Sequence, residues 1–236
     1  MADPTKQVSA FPEPTTADTI PPEFFDDLYR RSADPWGFET SDYEAQKYDE
    51  TLAVLPNERY GDALEVGCSI GVLTKRLAKR CDSLLAIDCS PIALERARAR
   101  CEKERHVQFL KMNVPQQYPI ESTFDLVVLS EVAYYWSWRD LRWVFDRIVD
   151  QLRPRGHLLL VHWAPPGPDK PLTGIEVHGA FVEWAAPMLH HLFGRHEGPY
   201  WVDLFERSSL RPRCEAARYS TIRNKADRDS TNPRDW

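Results

Sequence analysis

Between residues 63 and 161, short apolar runs alternate with longer amphipathic stretches, an order that few folds accept. Ala63 to Val66, Leu84 to Ile87, Val107 to Leu110, Phe124 to Leu129 and His157 to Val161 have the length and composition of strands. After the first run, Val72, Leu73 and Leu77 recur at helical spacing with Lys75, Arg76 and Lys79 opposite. After the second, Ala93, Leu94 and Ala97 do the same among Arg96, Arg98 and Arg100. Another helix is expected over Leu141 to Leu152, stopped by Arg153-Pro154-Arg155-Gly156. Strand and helix in alternation predict βαβ units, a parallel sheet, right-handed crossovers and ligands at the carboxyl ends of the strands. Met188 to His196 and Tyr200 to Arg207, joined by Glu197-Gly198-Pro199, read as a terminal hairpin. The expected fold is therefore α/β: a doubly wound, seven-stranded, mostly parallel sheet in three layers.

The flanks differ in composition. Residues 1–20 carry Pro4, Pro12 and Pro14 among small polar residues and are expected to form a disordered leader. Residues 21–60 are expected to supply a lid and a helix, with the core at 61–207 and a flexible basic tail at 208–236. An amphipathic helix is expected from about Tyr43 to Leu55, with Tyr43, Tyr48 and Leu52 on related faces. Trp184 is placed on a helix with Phe181 and Leu189.

With 236 residues and 42% hydrophobic content, the chain can bury one ordinary core. No apolar run approaches the roughly 20 residues of a membrane helix, and the start lacks the apolar stretch of a secretory signal. The expected setting is cytoplasmic. A net charge of -6 argues against a nucleic-acid partner bound through the general surface. Cys68, Cys81, Cys89, Cys101 and Cys214 occur singly, without spacing suited to zinc, so free thiols and no metal are expected.

The chemistry gathers at predicted strand ends. In Glu65-Val66-Gly67-Cys68-Ser69-Ile70-Gly71, Gly67 permits a tight turn and close approach to a ligand, and Gly71 permits close packing of the following helix. Asp88 ends the second strand 21 positions beyond Gly67, near the spacing of an acid that accepts hydrogen bonds from ribose hydroxyls. Followed by Cys89-Ser90-Pro91, it could instead cap the next helix.

These residues resemble the class I S-adenosylmethionine methyltransferases, a Rossmann-like family whose loop reads E-x-G-x-G-x-G. Glu65, Gly67 and Gly71 match, while Ser69 stands at the middle glycine. Asp88, Asn113 with Val114, Ser130-Glu131-Val132 and Leu152 to Gly156 match the family's later landmarks in order. Asp34-Pro35-Trp36-Gly37-Phe38 and Ser130 to Tyr135 narrow the resemblance to the nodulation N-methyltransferases of the NodS family. The resemblance implies S-adenosyl-L-methionine as cofactor and S-adenosyl-L-homocysteine as product. It implies that Trp36, Glu65, Gly67, Cys68, Ser69, Gly71, Asp88, Cys89, Asn113, Val114 and Ser130 hold them. The implied acceptor is a chitin oligosaccharide, methylated on the free amine of its deacetylated non-reducing terminal glucosamine. Another small-molecule or lipid-linked acceptor is the alternative.

An amine must shed a proton to present its lone pair, and the candidates for that work by position are Glu131 and His162. His162 could equally be a core or rim histidine, and Glu131 could act on the cofactor indirectly. Tyr134, Tyr135, Trp136 and Trp163 are candidate substrate contacts, since flat rings suit sugar faces, with core packing as the other reading. His178 is a further candidate, as a substrate contact or as a third possible base, with a surface loop as its other reading; Trp138 and Trp184 follow the same strands, Trp184 reading as core. The aromatics of 34–38 either cap the core or fold over the cofactor as a lid. Two other classes share the pattern: a nicotinamide oxidoreductase, disfavoured because Ser69 and Val72 stand where its glycines belong, and a non-catalytic cofactor-binding protein.

Overall fold

The computed structural model describes residues 18–186 and 188–209. Most of the expected leader, the tail beyond residue 209 and Cys214 lie outside the described residues. Two helices come first, α1 (Pro22–Arg31) and α2 (Asp42–Ala53). Then follow β1 (Tyr60–Val66), α3 (Val72–Leu77), β2 (Cys81–Asp88), α4 (Pro91–Arg100), β3 (Val107–Lys111) and β4 (Phe124–Ser130). The remainder is α5 (Trp138–Gln151), β5 (Leu152–Trp163), α6 (Gly174–Ala185), β6 (Leu189–Arg195) and β7 (Tyr200–Arg207).

The seven strands form one sheet in the order β3-β2-β1-β4-β5-β7-β6. The first five run parallel; β7 is antiparallel to β5, and β6 to β7. Strand order reverses between β1 and β4, so the loops leaving these two strands diverge and open a crevice at their carboxyl ends.

Period-two alternation explains the layers. On β5, Leu158 and Leu160 pack into the cluster that holds Phe145, Ile148, Val177 and Phe181 of α5 and α6. Leu159 and Val161 face the cluster holding Tyr48 of α2 and Leu73 and Leu77 of α3. A strand buried on both faces reads as a continuous apolar run, as His157 to Val161 does. Helix α5 buries Leu141, Val144, Phe145, Ile148 and Val149, a single helical stripe. It starts where Ser137 accepts from the Asp140 amide, a cap worth about 1 kcal/mol.

One expectation on element placement is corrected. Leu189 belongs to β6 and not to the helix of Trp184, because α6 ends at Ala185 and the chain turns into the edge strand. Helix α1 adds to the one helix expected over 21–60, and Pro22 at its first position, Glu23 in its first turn and Arg30 and Arg31 in its last are proper terminal signals for it.

Helix α1 and the residues before it lie across the crevice. Ile20 donates its amide to the Tyr135 carbonyl at 2.8 Å, and the Ser137 amide donates to Thr19 Oγ1 at 2.8 Å. Ser90 Oγ donates to Asp26 at 2.6 Å, and the Tyr29 and Ser69 hydroxyls are 2.5 Å apart. No helix among the described residues is long and apolar enough to cross a membrane. Cys68, Cys81, Cys89 and Cys101 are unpaired thiols.

Candidate active site

The crevice encloses a cavity of about 330 Å³. At one end, the chain leaving β1 turns at Gly67 (φ +77°) and Ser69 (φ +51°), both left-handed. A Cβ built on Gly67 would come within 2.9 Å of Val132 Cβ and Cγ2, so the glycine serves both the turn and the contact with the loop after β4. Ser69 pays for a conformation that glycine adopts freely, and two contacts hold it there: its amide donates to Asp88 Oδ2 at 2.8 Å and its hydroxyl meets Tyr29. Gly71 does not reach the cavity. It packs against Ala97 of α4, where an added Cβ would lie 3.0 Å from Ala97 Cα.

Asp88 is buried, and its other oxygen accepts the Ser90 amide at 2.9 Å. The cap of α4 is Ser90, whose hydroxyl accepts from the Ala93 amide, so Asp88 ties two turns together and leaves capping to its neighbour. Burial raises the Asp88 pKa, and the two amide bonds pull against that rise. Glu65 is also buried, with Oε2 lacking any hydrogen-bond partner, and burial pushes its carboxyl up to about 8. Both acids line the cavity, together with Trp36, Cys68, Cys89, Asn113, Val114 and Ser130.

This donor set fits S-adenosylmethionine. Glu65 offers a buried carboxyl oxygen without a partner, which an ammonium group would satisfy and help to ionise, Asp88 offers a carboxylate for hydroxyls, and the Gly67 turn a backbone without a Cβ.

The other end is built on β4. Glu131 follows the strand with φ +56°, a conformation costing about 1–3 kcal/mol for a residue with a side chain. Three contacts hold its carboxylate: Lys47 Nζ at 2.9 Å, the Tyr134 hydroxyl at 2.6 Å and the Trp163 amide at 3.0 Å. Lys47 is 3% exposed and also reaches Glu44. Burial opposes its charge, yet Glu131 and Glu44 outweigh that penalty and lift the ammonium above its ordinary value. Lys170 lies 4.0 Å from the centre of the Tyr134 ring.

Tyr134, Tyr135, Trp136 and Trp163 all line the cavity, but in different ways. Tyr135 and Trp136 are 6% and 3% exposed, and Tyr135 packs edge-on against Phe25 and Tyr134. They form an inner wall and leave little ring face for a sugar. Trp163, 37% exposed, presents the open aromatic surface at the rim. Trp138 and Trp184 pack on each other away from the cavity. In the 34–38 segment, Trp36 and Phe38 stack at 5.5 Å and both line the cavity, while Asp34 accepts the Phe38 and Glu39 amides.

Like Gly71, His162 and His178 are site candidates that the geometry moves away from the cavity. Both are fully buried, and neither borders the cavity. His162 Nε2 accepts the Ala133 amide at 3.1 Å and Nδ1 faces His178 Nε2 at 3.1 Å, so no ring nitrogen remains for an acceptor. Burial drives the His162 pKa well below its ordinary value. The sheet explains the placement: position 162 lies on the face of β5 turned toward α6.

Phe25, Tyr29, Lys47 and Lys170 line the cavity as well, beyond the residues expected from the sequence. Tyr29 follows Phe25 by one helical turn, a signal that recognition of α1 would have exposed. Lys47 sits on the helix read as amphipathic from Tyr43, Tyr48 and Leu52, and only the fold reveals that its neighbours are carboxylates.

The profile of the family described as Nodulation protein S (NodS) matches residues 24–162, more than half of the chain. The chain belongs to the NodS family. Nodulation protein S of Rhizobium tropici is 35% identical over 128 residues, covering 53% of this chain and 53% of the relative. The chain spans about half the length of curated NodS relatives that it matches. Among solved structures, N-methyltransferase NodS from Bradyrhizobium japonicum WM9, in complex with S-adenosyl-L-homocysteine, is 25% identical with a TM-score of 0.67, covering 77% of this chain and 96% of that one. A presumed methyltransferase from Pseudomonas syringae is 38% identical with a TM-score of 0.62, covering 70% and 99%.

Proposed function

We propose that this NodS-family chain is a cytoplasmic N-methyltransferase of nodulation-factor synthesis. It would transfer the methyl group of S-adenosylmethionine to the free amine of the deacetylated terminal glucosamine of a chitin oligosaccharide. The observation that carries this reading is one continuous cavity, with Gly67, Ser69, Asp88 and Asn113 at one end and Glu131, Tyr134 and Trp163 at the other. When bound, the cofactor supplies an electrophilic sulfonium methyl. Trp36, Glu65, Cys68, Cys89, Val114 and Ser130 complete its enclosure. The chain needs no covalent nucleophile; it must align two reactants, exclude water and relieve the amine of a proton. Glu131 suits the last task, being an acceptor fixed at the cavity wall by three partners. Its contact with the Trp163 amide ties the carboxylate to the backbone of the residue whose exposed ring could stack on a sugar.

The test offers labelled methyl donor with chitin oligomers that carry or lack a free terminal amine. Transfer is expected only to the free-amine forms, because acetylation delocalises the nitrogen lone pair into a carbonyl. Methylation of fully acetylated chitin would overturn the amine assignment. Longer oligomers should show lower KM than glucosamine, and Trp163→Ala should raise KM about fivefold, the equivalent of one aromatic contact of about 1 kcal/mol. Equal KM values across lengths would remove the stacking role.

A third expectation concerns Asp88. Asp88→Ala strips the acceptor from the Ser69 and Ser90 amides and from any bound hydroxyl. Affinity for S-adenosylhomocysteine should fall at least about tenfold in calorimetry, since charge-assisted hydrogen bonds contribute about 1.5–3 kcal/mol each. An unchanged dissociation constant in a folded variant would confine Asp88 to tying the turns.

A further inference from the structure

Behind the inner wall of the cavity, polar side chains form a line through the core. Asp203 of β7 is fully buried. His178 Nδ1 lies 2.5 Å from its Oδ2, His178 Nε2 lies 3.1 Å from His162 Nδ1, and His162 Nε2 lies 3.1 Å from the Ala133 nitrogen. Ala133 opens the short helical turn Ala133–Tyr135, whose tyrosines form the wall and whose preceding residues include Glu131.

The two ends of this line fix every proton in it. A backbone amide can only donate, so His162 Nε2 must be unprotonated and its proton must sit on Nδ1. That proton is donated to His178 Nε2, which must then be bare, so the His178 proton is on Nδ1 and is donated to Asp203. Burial holds both imidazoles neutral, lowering their pKa values. Burial would raise the Asp203 pKa, but hydrogen bonds from His178 and His196 outweigh it and hold the carboxyl below its ordinary range. His191 Nε2 at 2.5 Å and His196 Nε2 at 2.8 Å supply two more donors, so the buried anion is well satisfied.

We propose that Asp203 is a positioning residue: by setting the tautomers of His178 and His162, it holds the Ala133 segment and with it the acceptor wall. Its consequence for catalysis rests on the methyltransferase reading; the wiring does not. Without the carboxylate, His178 is free to carry its proton on Nε2. His162 would then present Nε2–H to the Ala133 N–H, two donors facing each other, and the segment would lose its anchor.

The same residues have the look of a cation site, since donor atoms of His178, His196 and Asp203 lie within 4.8 Å of one another. Proton accounting opposes that use. A metal on His178 Nδ1 would force its proton onto Nε2 and produce the same clash at Ala133.

Long-range nitrogen–proton NMR spectra of the full chain should show His162 and His178 as neutral Nδ1–H tautomers. Asp203→Ala should mix the His162 tautomers, speed hydrogen exchange at the Ala133 amide at least tenfold and lower acceptor kcat/KM at least tenfold, with S-adenosylhomocysteine affinity within twofold of the parent. Asp203→Asn, whose amide oxygen can still accept from His178, should keep the tautomers and restore kcat/KM to within threefold. An Nε2–H tautomer at His162 in the parent, stoichiometric zinc bound through His178, or an Ala variant with unchanged Ala133 exchange would each overturn the proposal, as would an Asn variant as damaged as the Ala variant. Should the Ala variant fail to fold, the parent spectra and the Asn variant decide. Absence of turnover on every sugar amine by the parent would count against the functional reading alone, since the tautomers and Ala133 exchange read the wiring directly.

Discussion

Gly67→Val should abolish measurable binding of S-adenosylhomocysteine, a loss of at least about 100-fold by calorimetry. Two costs combine. A β-branched residue at φ +77° is strained by about 1–3 kcal/mol, and its Cβ would overlap Val132, whose Cβ and Cγ2 stand 2.9 Å from the ideal position. Relief requires either the turn or the loop after β4 to move, and both line the cavity. The sheet lies beneath these loops, so circular dichroism should still report a folded protein. Parent-like affinity in a folded variant would place the cofactor elsewhere.

Glu131→Gln should lower kcat about 100-fold or more while leaving cofactor affinity within about twofold, the range expected when one proton acceptor is lost. Glutamine can still accept from the Tyr134 hydroxyl and the Trp163 amide, so the loop geometry is largely kept. It can neither take a proton nor pair with Lys47, which retains Glu44. The informative ratio is kcat against cofactor affinity, read in the same variant. Unchanged kcat would reduce Glu131 to a structural brace for a buried lysine.

What the sequence made legible was what local chemistry and period determine. The parallel strands announce themselves because burial on both faces demands uninterrupted apolar runs, and the Gly67 turn with Asp88 follows from a spacing set by one βαβ unit. What it concealed depends on contacts distant in sequence. His162 sits at a strand end like a catalytic group, and only the register of β5 and the position of α6 turn it away from the cavity. For Tyr135 and Trp136 the sequence leaves substrate contact and core packing both open, and it is Phe25, more than 100 positions earlier, that covers Tyr135. Lys47 and Glu131 are 84 positions apart, so no pattern in either segment hints at their pairing.

The fastening of α1 bears on ligand exchange. Thr19 and Ile20 bind the segment that carries the inner wall, whereas Asp26 and Tyr29 bind the turns that carry the nucleoside end. The helix and the two residues before it thus join both halves of the crevice, and the inner wall cannot part from the turns after β1 and β2 while all four attachments hold. Weakening these attachments should hasten ligand exchange, because it frees both walls of the cavity at once.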